Sequence, residues 1–286
     1  ELHNNLYGIA WTESDLSLRI IEYLKMHRRL LFLATTQVSV DVMSRNPNDN
    51  LLPKMYEVWE FFTKANNWCH SIFKPVTKHL MLPIVDTLHQ CISKEFPESI
   101  VNGHLKVDEV SDLPKVSYNI FKDVVYSQCR TLLTEEILLY FYQIRQGEMT
   151  MVTSDVIKTC VEMISVIGCY DEFEEEFITA STEYYENQTA EWISVYTTPE
   201  FLQKVSDSLD SESKLVYHHL NPRTWNILNN HLLWVGMGGE RCVHLLDNSD
   251  TGMVALLRQD AFHDLSILYS TFSRLDGMDI SERDTS

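Results

Sequence analysis

Residues Tyr170 to Ile193 read YDEFEEEFITASTEYYENQTAEWI, and the spacing within them decides the fold class. From Phe173, apolar residues return at Phe177, Ala180 and Tyr184, and then at Trp192. Such spacing, with acids and amides between, marks one face of a helix. Outward from this stretch the same period recurs. Leu265, Leu268, Tyr269, Phe272 and Leu275 share a helical face expected to be buried. The run from Tyr118 to Ile144 carries Val124, Val125, Leu132, Leu133, Ile137, Tyr140 and Phe141. It holds no Gly or Pro, so one long helix is predicted there. Leu52 to Leu80 carries the aromatic band Tyr56, Trp59, Phe62 and Phe73, with Pro75 placed to kink or break the helix. The chain is expected to be all-α.

Punctuation supports that reading. Thr198-Pro199-Glu200 predicts an N-cap, a proline at the first helical position and an acid on the positive end of the dipole. Asn221-Pro222 and Asp112-Leu113-Pro114 open helices in the same way, and Gly147 and Gly168 are the expected stops. Asn46 to Asn50 and part of Glu95 to Asp112 read as loop, Gly236 to Gly239 as a flexible break, and Gly277 to Ser286 as a disordered polar tail. Only 9 glycines and 8 prolines in 286 residues argue against a sandwich of short strands. The order of helices after about residue 145 suggests a second pass through a divergent helical repeat.

The net charge of −18, from 41 acids against 23 bases, argues against a nucleic-acid backbone or an anionic membrane as partner. Six cysteines, Cys69, Cys91, Cys129, Cys160, Cys169 and Cys242, lie far apart without a CxxC pair. They fit buried, reduced thiols of the cytoplasm or nucleus better than a disulfide framework. No run of 18 apolar residues predicts a membrane span, and no signal peptide is recognised.

Chemistry-bearing patterns are few. Asp171, Glu172, Glu174, Glu175 and Glu176 could suggest paired catalytic acids, but they open a helix whose phenylalanines point inward, so a solvated acidic face is expected. His218-His219, His231 and Cys242-x-His244 lack metal-ligand spacing. The glycines at 236–239 are followed by no Lys-Ser/Thr and preceded by no strand, which excludes a P-loop and a dinucleotide fingerprint. The sequon Asn187-Gln188-Thr189 lies inside a predicted helix and reads as chance. No catalytic residue, metal or cofactor is assigned. Leu2, Leu6 and Ile9 sit at helical spacing and suggest either core packing or an edge helix offering its apolar side to a partner.

The ordered motifs resemble the cullin family. Tyr170 to Ile193 is similar to its Y-x-x-x-FE-x-x-FL and T-x-x-[FY]-Y pattern, with Phe173, Glu174, Phe177, Thr182, Tyr184 and Tyr185 at matching positions. Thr197 to Thr224 matches a second pattern through Phe201, Leu202, Lys204, Glu212 and Leu220, with Lys214-Leu215 where an arginine is common. Met253 to Leu275 matches a third through Leu256, Leu257, Asp264, Leu265, Leu268, Tyr269, Phe272, Ser273 and Arg274. Ile120 to Val125 resembles the family's FRD segment, Arg145 to Glu148 its R-x-GE, and Trp59 a frequent tryptophan of its first repeat. Glu1 to Tyr7 is similar to the family's second helix, which places the first helix before residue 1.

The resemblance implies an elongated solenoid of stacked five-helix cullin repeats. Its divisions are 1–130 for a first repeat without its first helix, 131–240 for a second, and 241–286 for the start of a third plus the tail. It implies a non-catalytic scaffold of a ubiquitin ligase that holds a substrate adaptor. The adaptor-facing residues would be Leu2, Asn5, Leu6, Tyr7 and Ile9 with Lys115, Val116, Ile120 and Phe121, of which Tyr7 and Phe121 would either reach the partner or pack beneath it. Glu1, Leu2, Asn5 and Tyr7 lean towards a BTB-domain adaptor, ahead of Skp-type, elongin-type and propeller-type adaptors. A RING subunit would bind only through a C-terminal region that nothing here resembles. The alternative is a cullin-like helical-repeat interaction protein outside ubiquitin chemistry.

Overall fold

A computed structural model describes residues 35–37, 50–76 and 113–276, and every regular element among them is helical. In chain order the helices are α1 (Leu51–Val76), α2 (Leu113–Phe121), a π-helical turn (Lys122–Tyr126), α3 (Ser127–Arg145), α4 (Ser154–Val166), α5 (Tyr170–Val195), α6 (Thr198–His219), α7 (Arg223–Met237), α8 (Gly239–Leu246), α9 (Met253–Arg258) and α10 (Phe262–Asp276). They fall into two compact units that divide between Ile167 and Gly168. The predicted loop at 95–112, most of the loop before Asn50, and the tail lie outside the described residues.

In the first unit α1 packs on α2, α3 and α4. Leu51, Leu52, Met55 and Trp59 line its buried face, against a core that includes Leu133, Ile137 and Phe141 of α3 and Ile157, Cys160 and Ile164 of α4. The start of α1 is closed by a residue distant in sequence. The Glu136 carboxylate accepts from the backbone N–H groups of Leu51 (2.7 Å) and Leu52 (3.1 Å), which meets the helix dipole with a negative charge. Asn50 Oδ1 also accepts from Leu52 N–H at 2.9 Å. Pro75 falls in the last described turn of α1, so the helix runs intact up to it. α3 ends as its sequence predicts: Gly147 takes φ +69°, Gly147 N–H bonds Ile144 O, and Glu148 N–H bonds Gln143 O at 2.9 Å. Both bonds are those of a Schellman stop.

In the second unit α5 packs chiefly on α7, α6 on α7 and α10, and the short α8 and α9 lead into α10. Phe173, Phe177, Phe201, Leu202, Val205, Leu209, Leu228 and Leu233 form its buried centre. Three expectations need correction. The N-cap of α6 is Thr197, one residue earlier than predicted, and its N–H reaches Glu200 Oε2 at 3.0 Å. Thr198 is instead buried, its hydroxyl 3.0 Å from Thr251 Oγ1. Residues 236–239 are no flexible break. α7 runs through Gly236 and Met237, and a Cβ on Gly238 would stand 2.5 Å from Trp234 Cδ2, so position 238 is too closely packed for a side chain. Tyr269 does not join Leu268 inside: Leu268 is 7% exposed and Tyr269 76%.

Candidate interaction surface

Leu2, Asn5, Leu6, Tyr7 and Ile9 lie outside the described residues. The other four expected contacts sit on α2, which packs against α1. Helical spacing sorts them by depth. Ser117, Ile120 and Phe121 are buried, Val116, Tyr118 and Asn119 are half-buried, and Lys115 is exposed. Phe121, with no exposed surface, packs edge-on to Trp59 at 5.2 Å between ring centroids and against Phe62 at 4.7 Å. Tyr118 lies against the same two α1 rings, at 5.8 Å and 6.0 Å. The result is an aromatic floor beneath α2.

Phe121 therefore packs beneath the surface. Ile120, expected to offer itself to a partner, also faces inward with 5% of its surface exposed. Ile120 lies beside Phe121 and three positions after Ser117, which are buried with it. Lys115 and Val116 form the outward part of this site, a cation beside an aliphatic methyl pair over a stiff aromatic base. What such a surface offers is shape, apolar area and charge.

Two residues on α1 escape the sequence reading. Phe61 and Trp68 are 70% and 71% exposed and seven positions apart, which puts them on one face of the helix away from the floor. Their spacing is visible in the sequence, but the core band of Tyr56, Trp59 and Phe62 masks it.

The acidic start of α5 is a structural clamp. The Thr224 hydroxyl donates to Glu174 Oε1 at 2.5 Å, so the Tyr170 O–H, 2.7 Å from Thr224 Oγ1, points its proton at Thr224. Asn221 N–H donates to the same Tyr170 oxygen at 2.9 Å. Arg223 reaches Glu174 Oε2 at 3.0 Å, pairs with Asp171 and lies over the Tyr170 ring at 5.2 Å. Burial pushes the Tyr170 phenol up, which keeps it a donor. Asp171, Glu172, Glu175 and Glu176 are exposed as expected, but Glu174 is buried and tied to the start of α7. Farther along α5, Tyr185 O–H donates at 2.9 Å to Glu212, which is fully buried on α6. The motif residues Glu174, Tyr185 and Glu212 thus hold helices together.

Burial pushes the Cys160 thiol up to about 12, with Cys129 and Glu136 adding to the shift, so it stays protonated. Cys129 and Cys169 are likewise buried and in no disulfide. Among the described residues no three His, Cys, Asp or Glu side chains gather where a metal could bind, and no helix is long and apolar enough to cross a membrane.

A family model described as the cullin alpha solenoid domain matches residues 11–283. The chain is 22% identical over 282 residues to cullin-like protein 2 of Arabidopsis thaliana, covering 95% of this chain and 67% of that protein. It is 25% identical over 286 residues to cullin-1 of Dictyostelium discoideum, covering 94% of this chain and 32% of that one. Against cullin-3 of the same organism identity is 24% over 192 residues, or 62% of this chain and 24% of the relative. The chain spans about a third of the length of cullin-1.

Proposed function

The chain belongs to the cullin family, and from that premise we propose that it is the adaptor-binding part of a ubiquitin-ligase scaffold. The match of the alpha solenoid domain across nearly the whole chain carries the proposal. In this reading the protein performs no chemistry of its own. It fixes the distance between a substrate held at one end and a catalytic module held elsewhere, and raises transfer by proximity. The RING subunit would be bound by a cullin C-terminal region and not by the residues described here. The protein would act in the cytoplasm, the nucleus or both.

The adaptor would meet Leu2, Asn5, Leu6, Tyr7 and Ile9 together with Lys115 and Val116, while Ile120 and Phe121 hold that face from below. We propose a BTB-domain adaptor first, on Glu1, Leu2, Asn5 and Tyr7, and a Skp-type adaptor next. The division into repeats at residues 130 and 240 is part of the same proposal, although the two compact units divide elsewhere in the chain, between Ile167 and Gly168.

A second reading draws support from one observation. This chain covers 67% of the Arabidopsis cullin-like protein but 32% of cullin-1, so that relative is much the shorter. A short cullin-like protein would serve as a helical interaction module outside ubiquitin transfer. A pull-down of the chain against purified BTB, Skp-type, elongin-type and propeller-type adaptors separates the readings. Capture of one class, lost in Leu6→Asp and weakened in Lys115→Glu, is expected. Failure of all four classes would favour the interaction module.

A further inference from the structure

The helical run from α2 into α3 contains one irregularity, in the segment that resembles the family's FRD motif. Ser127 N–H bonds Lys122 O, five residues back, instead of Asp123 O, four back. The skipped Asp123 carbonyl receives the Ser127 hydroxyl at 2.5 Å, so the turn satisfies the acceptor it orphans. The turn also holds one more residue than an α-helical turn would.

That residue changes which way α2 faces. Ser117, Phe121, Val125, Cys129, Leu133, Ile137 and Phe141 are all buried, at strict four-residue intervals. In an unbroken α-helix a four-residue step advances by about 40°, so six steps would wind the seam through roughly 240°. One extra residue takes back about 100° near the middle. Both α2 and α3 pack on α1, and the correction lets one seam serve both.

We propose that the π-helical turn at Lys122–Tyr126 is a register device that aims α2, locking Phe121 into the aromatic floor and turning Lys115 and Val116 outward, with the Ser127 hydroxyl as its latch. Without it, α2 would turn by about 100° about its axis relative to α3 and present a different face. The consequence for a partner rests on the adaptor reading above. The register itself does not.

The test uses the full chain carrying Ser117→Cys, a buried position, and follows labelling of the introduced thiol by a maleimide. That thiol should label slowly. Deleting Asp123, an exposed residue of the turn, should speed labelling at least ~10-fold and abolish capture of the adaptor found in the pull-down, because local opening sets the rate. A compensated variant, the same deletion with an alanine inserted between the exposed Ser127 and Gln128, moves the extra residue downstream and should restore slow labelling and capture. Ser127→Ala should speed labelling by about two- to ten-fold, the worth of one hydrogen bond. Continued protection after the deletion, or a compensated variant that labels as fast as the deletion, would overturn the device. Unchanged labelling in Ser127→Ala would remove the latch. Protection lost and regained with no adaptor captured by any variant, the parent included, would refute the adaptor reading while upholding the register device.

Discussion

Replacing Glu174 by alanine should destabilise the second unit far more than replacing its neighbour Glu175. Glu174 takes a 2.5 Å hydrogen bond from Thr224, whose side chain is fully buried, and a 3.0 Å contact from Arg223. A hydrogen bond to a charged, buried acceptor contributes about 1.5–3 kcal/mol. The Arg223 contact is set aside because solvent screens its half-exposed guanidinium. That loss, about 1.5–3 kcal/mol, corresponds to a fall in melting temperature of roughly 6–12 °C for a unit of this size. Tyr170→Phe leaves Thr224 on Glu174 but orphans the Asn221 N–H, and should cost about 1–2 kcal/mol. Since both side chains belong to one chain of donors, the double variant should fall short of additivity by about 0.5–1 kcal/mol. Calorimetry of the full chain, with the second unit's transition assigned by hydrogen exchange, reads all of these. A loss under about 0.5 kcal/mol for Glu174→Ala, or one equal to that of exposed Glu175→Ala, would refute the clamp.

Phe121→Ala should cost about 3–5 kcal/mol in urea melts of the first unit, and Lys115→Glu should cost far less there while weakening partner capture. The Thr197 N–H and hydroxyl hold the Glu200 carboxyl below its ordinary value, so this contribution to stability is present above the unfolded pKa and lost as pH falls through the folded one. Melting temperatures of the parent and Glu200→Gln should therefore differ at neutral pH and converge as pH falls below the ordinary glutamate range. Iodoacetamide at pH 8 should leave Cys129, Cys160 and Cys169 unmodified in the native chain, with all three labelled in denaturant; peptide mass mapping checks this.

Helix positions are legible because the chain repeats one physical signal, an apolar residue every three or four positions, and Phe173 and Phe177 are buried as that signal requires. Polar residues inside the stripe are not. Composition groups Glu174 with its four solvated acidic neighbours, since it sees charge before geometry. Its place next to Phe173 and three residues before Phe177 puts it at the edge of the buried quadrant, where partners across the unit, Thr224 and Arg223, make burial tolerable. Tyr269 departs in the opposite sense: the periodic pattern includes it, yet its ring stands outside while Thr271 and Leu268 turn inward. At the candidate surface, spacing places Lys115, Val116, Ile120 and Phe121 on one helix but does not rank their depth. The π-helical turn is hidden because hydrogen-bond register leaves no residue type behind, although the four-residue repeat of buried positions carries its trace.

The closure of α1 by Glu136 has a consequence for synthesis. The N–H groups of Leu51 and Leu52 are met by a carboxylate 85 and 84 positions farther along the chain. At ribosomal speeds of about 5–20 residues per second, roughly 4–17 s separate the emergence of the helix start from that of its cap. During that interval Leu51, Leu52 and Met55 have neither the cap nor the α3 and α4 surfaces they are to meet, and they present the kind of greasy nascent segment that a holding chaperone grips. A stalled ribosome or a premature stop before the Glu136 codon would release a product whose α1 lacks the carboxylate that caps it.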